Sequence, residues 1–274
     1  MRNTTNNLPA YKRIARNIIR RVIGGKPAAR WLGEYASWDD ALTECAGYDQ
    51  KEILERVVSA TKQVLSGDKA YERDGTTFDT PAYNWALIAA LGHCAFATRR
   101  LSVADIGGAL GSSYLQNRAW IGAMPEVSWR IVEQKTFVEA AAKLDFSKVA
   151  PSISFSDAYE ASLAGANFLL FGSSLSYLAD PYEYLKKASH APVEYLLIER
   201  TPYAQHDRGK SFVSKQVVTS RGETHTYPCW VFSEKEMTAF LTKDWEQVAC
   251  WDSEFQPADD PIHISSFWKR RAHD

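Results

Sequence analysis

The chain has 274 residues, and 45% of them are hydrophobic, which is enough to bury a sizeable core in one large domain or in one domain with an appendage. The formal net charge of −1 argues against bulk binding to nucleic acid, and no apolar run reaches the length of a membrane span. The four cysteines (Cys45, Cys94, Cys229 and Cys250) lack zinc-site spacing, which predicts free thiols in a cytoplasmic protein and no metal site.

Basic residues are concentrated at the start of the chain. Residues 1–33 contain eight lysines and arginines and no acidic residue. Apolar side chains recur there at helical spacing from residue 11 to residue 23, with arginines between them. We therefore assign residues 1–30 to a basic amphipathic helix. Its apolar stripe either packs on the body of the protein or on a second subunit, which we favour, or lies on an anionic membrane surface as a peripheral contact.

Residues 31–98 are predicted to form a second, mainly helical segment. Asp49 and Glu52 are spaced as a capping box at a helix start. Thr80 followed by Pro81 indicates the start of another helix. Residues 71–75, between these two helices, are predicted to form a polar loop.

Residues 99–274 alternate between strand and helix patterns, which is typical of βαβ units. The predicted fold class is therefore α/β, with a mostly parallel, Rossmann-like sheet. Five strands are expected in it, at residues 101–106, 127–133, 153–155, 167–171 and 193–198. Helix starts are expected at Ser112 with Ser113, Thr136 with Glu139, Asp180 before Pro181, and Ser233 with Glu236. Two late extended runs, residues 247–251 and 263–268, are expected to pair antiparallel at the sheet edge.

The first of these strands ends in a glycine-rich turn. Asp105 lies near its carboxyl end, and Gly107, Gly108 and Gly111 follow at once, with Ala109 between them. The order of the glycines does not fit the dinucleotide fingerprint G-x-G-x-x-G in either register, and no P-loop lysine follows. In an open α/β sheet such a turn lies where ligands bind. A tight turn that binds nothing is the competing interpretation.

Acidic residues also end the next two predicted strands. Glu133 closes the second strand, where its carboxylate is placed to accept hydrogen bonds from the ribose hydroxyls of an adenosine ligand, as acids do in dinucleotide enzymes. Asp157 ends the third strand, where an acid meets the adenine amino group. A solvated acid at a strand end is the alternative for each residue. Taken with Asp105 and the glycines, Glu133 favours an adenosine-binding site.

The segment from Gly172 to Ser176 follows the fourth predicted strand and excludes several enzyme classes. Ser176 stands where the G-x-S-x-G elbow of α/β-hydrolases needs its last glycine. The segment also lacks the Asn/Asp-Pro-Pro-aromatic tetrad of methyltransferases that act on DNA bases or amide nitrogens. The carboxylates that metal-dependent O-methyltransferases tend to place here are replaced by serines.

The sequences DIGGALGSSY and FGSSLSYLADPYEYL, with Glu133, resemble class I S-adenosylmethionine (SAM) dependent methyltransferases. With WLGEYASWDDALTECAGYD, YERDGTTFD, IERTPY and YPCWVFSE they resemble a narrower, little-characterised family of methyltransferase-like proteins, often encoded beside surface-polysaccharide biosynthesis genes. The resemblance covers about residue 31 to the end. It implies SAM as cofactor, S-adenosylhomocysteine (SAH) as product, and a 31–98 segment that covers cofactor or substrate. The implied cofactor-binding residues are Asp105, Gly107, Gly108, Ala109, Gly111, Tyr114, Glu133, Gln134, Asp157, Gly172, Ser173 and Ser174.

Methyl transfer to a hydroxyl needs in-line positioning and a base that takes the proton. The candidates cluster after the fifth predicted strand, in a loop expected to overhang the methyl group. His206 is our choice of base because histidine titrates near neutral pH. Tyr203 is a second candidate in the same loop, and His263 and Tyr227 are rivals.

Arginines and aromatic residues are the candidate acceptor contacts. Arg200 and Arg73 are suited to an anionic group such as a phosphate or carboxylate. Tyr227 and Trp230 are suited to stacking on a sugar, with core packing as the alternative. The sequence therefore predicts metal-independent O-methylation of a saccharide or other small molecule. A nicotinamide-linked oxidoreductase or epimerase and a catalytically inactive methyltransferase-like binding module remain as alternatives.

Overall fold

The computed structural model describes residues 28–45, 51–207, 209–220, 223–253 and 261–272. Residues 1–27 of the predicted amphipathic helix and the predicted helix-start residue Asp49 lie outside them. Residues 28–30, assigned to the same helix, belong to a strand, so the predicted helix boundary is wrong there. The strands of the described part are β1 (Ala28–Tyr35), β2 (Tyr71–Arg73), β3 (Thr76–Phe78), β4 (Leu101–Ile106), β5 (Val127–Val132), β6 (Ile153–Ser156), β7 (Phe168–Gly172), β8 (Tyr195–Tyr203), β9 (Phe212–Ser220), β10 (Glu223–Val231), β11 (Trp245–Asp252) and β12 (Ile262–Arg270). The helices are α1 (Trp38–Thr43), α2 (Lys51–Leu65), α3 (Trp85–Thr98), α4 (Ser112–Ile121), α5 (Lys135–Ala141), α6 (Tyr159–Leu163), α7 (Pro181–Ser189) and α8 (Glu234–Leu241), with a 3-10 turn at Leu175–Tyr177.

Seven strands form the large sheet, in the order β11-β12-β8-β7-β4-β5-β6. Five neighbouring strands of this sheet, β8, β7, β4, β5 and β6, are mutually parallel. Strand β12 runs antiparallel to both β8 and β11. This confirms the predicted α/β class, with antiparallel pairing at the C-terminal edge. Numbered along the chain, the seven strands have the order 3-2-1-4-5-7-6. The doubly wound dinucleotide sheet has the order 3-2-1-4-5-6, so the inserted antiparallel strand distinguishes the two.

Helices cover both faces of the large sheet because its central strands are apolar on both sides. Val103, Leu170 and Leu197 pack with α3 and α4 on one face. Leu169 and Leu196 pack with α6, α7 and α8 on the other. Since the parallel strands point the same way, β4, β5, β6 and β7 all finish at one end of the sheet, called the carboxyl end below. The turns that follow these strands are therefore brought together there.

A second, three-stranded sheet of order β1-β9-β10 lies against the carboxyl end. The Tyr177 hydroxyl, after β7, donates to Gln216 Oε1 of β9 at 2.7 Å, and the Trp31 ring of β1 lies 5.5 Å from the His263 ring of β12. The expectation that residues 31–98 are mainly helical is therefore wrong for β1. Trp31 pairs in the ladder with Gln216, so this strand forms through a partner that is distant in the sequence.

Residues 71–78 form an antiparallel hairpin, β2–β3, so the polar loop predicted for residues 71–75 is confined to the two residues at its tip. Asp74 and Gly75 at its tip have φ angles of 52° and 71°. Two left-handed residues in an Asp-Gly pair are typical of a two-residue hairpin turn. The hairpin docks on α4, where the Glu72 carboxylate accepts a hydrogen bond from Ser112 Oγ.

Five of the predicted helices form in the described part of the chain, two with the predicted cap and three with a different cap or start. Asp180 caps α7, and Ser233 caps α8 with its hydroxyl 3.1 Å from the Glu236 amide. Helix α3 begins at Trp85, not at Pro81, because the Asn84 side chain accepts from the Leu87 amide. Helix α4 starts after Gly111 with no side-chain cap from either serine, and α5 starts after Gln134 with no capping box.

Across the described residues, every helix is too short or too polar to cross a bilayer. Within the same ranges, no group of three or more His, Cys, Asp or Glu side chains is arranged to hold a metal ion.

Candidate functional site

The turn after β4 depends on backbone conformations that few residues adopt. Gly107 and Gly111 have φ angles of 67° and 93°, in the left-handed region that glycine enters freely. A Cβ atom on Gly107 would lie 2.6 Å from Ser174 Cβ, and one on Gly111 would lie 2.9 Å from Ile153 Cδ1. The turn is therefore packed against Ser174, just after β7, and against Ile153 of β6, and both positions require glycine.

Ala109 has a φ angle of 52°, which is uncommon for a residue with a Cβ atom. Ala109→Gly is expected to leave the free energy of unfolding within about 1 kcal/mol of wild type, because the relief of strain offsets the extra entropy of the unfolded chain. Ala109→Val should destabilise by about 2 kcal/mol or more, since a β-branched residue resists this conformation. Urea unfolding measures both. Ala142→Val, at an exposed residue with a φ of −61°, is the control, and equal losses in the two valine variants would contradict the strain at Ala109.

Asp105 is completely buried beneath this turn. Its Oδ2 accepts from the Trp129 indole N–H at 3.1 Å, and its Oδ1 has no hydrogen-bond partner among the described residues. Burial raises the pKa of Asp105 to about 7, the Trp129 N–H opposes that rise, and nearby Glu133 and Glu199 add to it. Tyr114, expected to contact the cofactor, packs with its ring 5.5 Å from Trp129. The Tyr114 side chain therefore lies in the core, and its contact with the cofactor stays a prediction.

Glu133 links the end of β5 to the glycine turn. Its carboxylate accepts from the Ala109 amide at 3.1 Å and from the Gln134 amide at 2.9 Å. Burial raises the pKa of Glu133, and the two N–H donors oppose that rise. Gln134 is exposed and provides only its backbone, and Asp157 is exposed just beyond the end of β6. The three predicted positions thus lie at neighbouring strand ends.

The segment after β7 packs directly on the glycine turn. Ser174 Oγ donates to the Ile106 carbonyl, at the end of β4. Ser173 has a φ angle of 80°, and its amide donates to the Glu199 carbonyl of β8 at 3.1 Å. Gly172 completes this contact, because its position lies opposite Glu199 in the strand ladder. The serines therefore join the ends of β4 and β7 to the middle of β8.

Strand β8 continues to Tyr203, five residues beyond the predicted end, because β12 pairs with it along this stretch. The expected catalytic loop is therefore largely strand. Tyr203 lies in the core against Phe232, and burial raises the pKa of its hydroxyl well above its usual range. Its expected place in an overhanging loop is wrong. His206 is exposed just beyond the strand, and the adjacent Asp207 binds Ser233 Oγ and the Lys235 amide at the start of α8.

The other residues predicted to act as base or to contact the acceptor lie in three parts of the fold: β12, the small sheet and the β2–β3 hairpin. His263 is 5% exposed on β12, and burial lowers its pKa to about 4, helped by the charge of Arg200. Tyr227 is buried in the small sheet with its ring 6.3 Å from that of Tyr177, and Trp230 of the same strand donates its N–H to the Ala179 carbonyl at 3.4 Å. Arg73 is exposed on the β2–β3 hairpin, where it donates to Gln116 Oε1 at 3.1 Å.

Two buried carboxylates join segments that are far apart in the sequence. Glu199 on β8 is 3% exposed and accepts from Asn84 Nδ2, at the start of α3, at 2.9 Å. Glu72 is 1% exposed and binds Ser112 at the start of α4 and the Gly75 amide. Sequence reasoning missed the roles of Glu72 and Asn84. The Asp-Gly pair at the hairpin tip and the preference of asparagine for N-caps were the signals that could have found them.

No protein-family model and no curated protein matches the chain. Solved structures give weak likenesses. The N-terminal domain of EvdMO1, in the presence of SAH and D-fucose, is 16% identical, with a TM-score of 0.49 over 82% of this chain and 98% of that one. SAM-bound CalS10, an amino pentose methyltransferase from Micromonospora echinaspora, is 11% identical, with a TM-score of 0.42 over 67% and 90%. The mitomycin 7-O-methyltransferase MmcR is 17% identical, with a TM-score of 0.43 over 68% and 54%. At these TM-scores the likenesses assign no residue roles here.

Proposed function

We propose that this chain is a SAM-dependent methyltransferase that methylates a hydroxyl of a saccharide or other small molecule without a metal ion. One observation carries the proposal. The Glu133 carboxylate, at the end of β5, is held 3.1 Å from the Ala109 amide of the glycine turn that follows β4. In doubly wound sheets, the ribose of an adenosine ligand binds to an acid at the end of one strand, beside the glycine turn that follows the adjacent strand.

The residues at the carboxyl end fit such a cofactor. Each carboxylate oxygen of Glu133 receives one backbone N–H, so each retains lone-pair capacity for a ribose hydroxyl. Gly107 is exposed and allows close approach of a ligand to the backbone. The Oδ1 atom of Asp105, which lacks a partner in the described part of the chain, is an acceptor beneath the same turn. SAM, when bound, supplies an activated methyl group.

The chain's own part in the reaction is then positioning and proton transfer. Gly107, Gly108, Ala109, Gly111 and the Glu133–Gln134 pair would hold the adenosine end, with Asp157 beyond them at the end of β6. Residues 172–174 join the glycine turn to β8 and would lie between the bound cofactor and the acceptor. His206 is the proposed base, because its imidazole is exposed just beyond the end of β8 and a histidine ring nitrogen can accept the hydroxyl proton. His263, enclosed beside Arg200, is the rival.

The nicotinamide alternative has less support. The glycines do not fit the dinucleotide fingerprint, and the large sheet has an antiparallel strand inserted in the dinucleotide order. Tyr182 and Lys186 on α7 have the Tyr-x-x-x-Lys spacing that short-chain dehydrogenases use. The Tyr182 hydroxyl, however, hydrogen-bonds Ser211 and Glu236 and stands apart from the contacts around the glycine turn.

Calorimetric titration with SAM, SAH and NAD tests the proposed function. SAM and SAH should bind, and Glu133→Ala should weaken both by about tenfold or more, because a charged acceptor of hydrogen bonds is lost. Glu139→Ala, which removes an exposed acid from α5, is the matched control and should bind as wild type does. Absence of SAM binding at high micromolar concentration, or binding of NAD in its place, would overturn the proposal. Unchanged affinity in Glu133→Ala would overturn the site.

A further inference from the structure

Two residues on adjacent strands have left-handed backbones at the carboxyl end. Ser173, just after β7, has a φ of 80°, and Arg200, within β8, has a φ of 48°. Neither residue is glycine, so each conformation is strained, and such strain persists only where the surroundings enforce it. The two are joined directly, since the Arg200 guanidinium donates through Nη2 to the Gly172 carbonyl at 3.1 Å and Ser173 Oγ lies 3.5 Å from the Arg200 carbonyl.

The guanidinium of Arg200 is only partly satisfied by the described residues. Its Nε is buried and has no hydrogen-bond partner among them. A guanidinium has five N–H donors, and buried donors in native proteins almost always have an acceptor. The strained backbone therefore directs a cation with unused donors towards the carboxyl end, where the proposed reaction takes place.

Arg200 lies beside β12 and near two buried carboxyl groups. The Arg200 amide donates to Ser265 Oγ of β12 at 3.1 Å, and His263 lies close enough that the Arg200 charge contributes to lowering its pKa. The Trp31 ring of the small sheet lies 5.5 Å from the His263 ring and is tilted against it. The Asp105 and Glu199 carboxyls are the acidic groups nearby, and Glu199 is engaged by Asn84. Arg200 thus has no acidic side chain as a hydrogen-bond partner among the described residues.

We propose that Arg200 binds an oxyanion of the acceptor, a carboxylate or a phosphate, so that the acceptor is an acidic or phosphorylated saccharide. Arginine suits this role because its planar fork pairs with both oxyanions in two hydrogen bonds. This inference rests on the proposed function for the identity of its ligand as an acceptor. It also explains why strain is tolerated at Ser173 and Arg200, since both conformations aim the guanidinium at one place.

The test compares sugars that differ in charge. Ligand-observed NMR titrations use D-glucuronate, α-D-glucose 1-phosphate and D-glucose, each with and without SAH. At least one charged sugar should bind about tenfold more tightly than glucose. Preference for glucuronate would identify the carboxylate as the group bound, and preference for the phosphate ester would identify the phosphate. Equal binding of all three sugars, or no binding of any, would overturn the inference.

Variants then assign the preference to Arg200. Arg200→Gln should abolish the preference for the charged sugar, and Arg200→Lys should retain part of it because the charge is kept and the fork is lost. Arg130→Gln, which removes an exposed arginine on β5, is the control. A preference that survives in both Arg200 variants would overturn the inference. If wild type does not bind SAH, the proposed function is overturned but this inference is not. The preference for the charged sugar and its dependence on Arg200 are also measured without SAH.

Discussion

Replacing Asp105 with asparagine is expected to stabilise the protein by about 3 kcal/mol more at about pH 8 than at about pH 4.5. The reason is the complete burial of this carboxyl, which raises its pKa from 3.8 to about 7. At pH values between 3.8 and about 7, the Asp105 carboxyl is protonated in the folded state and largely ionised in the unfolded state, so the folded state binds more protons. Wild type therefore loses stability as the pH rises from about 4 to about 7, whereas the uncharged amide does not.

The amide resembles the protonated acid in shape and in hydrogen bonding. It can still accept from the Trp129 N–H, and the additional buried donor adds a cost of about 1–3 kcal/mol that is independent of pH. Urea unfolding of both proteins at the two pH values isolates the titration of Asp105 and its coupling to Glu133 and Glu199, because groups that do not interact with Asp105, such as His263, cancel in the comparison. Asp157→Asn, an exposed aspartate after β6, is the control. A difference for Asp105→Asn that does not change with pH would show that the carboxyl titrates normally.

Replacing Arg270 with alanine is expected to lower the free energy of unfolding by about 3 kcal/mol. Its guanidinium donates to four carbonyls between the end of α7 and the start of β8. The guanidinium carbon, Cζ, lies 4.4 Å from the centroid of the Trp245 ring. The acceptors are the carbonyls of Ala188 (2.6 Å), Ser189 (2.5 Å), Ala191 (3.0 Å) and Val193 (2.6 Å). Carbonyls at a helix end have no partner within the helix, and a cation there also interacts favourably with the helix dipole.

A graded series distinguishes this role from simple loss of charge. Arg270→Lys keeps the charge but cannot reach all four carbonyls, so its loss should be about half as large. Lys269→Ala removes the exposed cation next to it on β12 and should change stability by less than about 0.5 kcal/mol. Urea unfolding at one pH measures all three variants. Equal losses in the lysine and alanine variants would indicate that charge, rather than the four hydrogen bonds, stabilises this corner.

The large sheet and the glycine turn were predictable because their signals are local. Leu101–Ile106 is apolar and is followed at once by glycines, and Glu133 stands at the next strand end, so sequence order alone places them side by side in a parallel sheet. Two predicted site residues, Tyr114 and Tyr203, are buried in the structure. Their burial was not predictable because it results from tertiary packing. The extension of β8 to Tyr203 depends on pairing with β12, about sixty residues later.

The small sheet was not predicted because its strands carry many polar residues. Strand β9 contains a lysine, a glutamine and two serines. Its valines, Val213, Val217 and Val218, are a β-branched signal that was available in the sequence. Strand β1 has no such independent signal, since its ladder partner lies near the other end of the chain. The strain at Ser173 and Arg200 is likewise invisible in sequence, because it results from contacts between β7 and β8.

The pairing of β1 with β9 also sets the order in which the protein can be completed during synthesis. Strand β1 is among the earliest of the described segments to leave the ribosome, yet its ladder partners, such as Gln216 for Trp31, emerge only after the parallel core of the large sheet has been made. Until then β1 has no strand to pair with. The parallel core can thus assemble before the small sheet, and the contact between Trp31 and His263 can form only after β12 has been made.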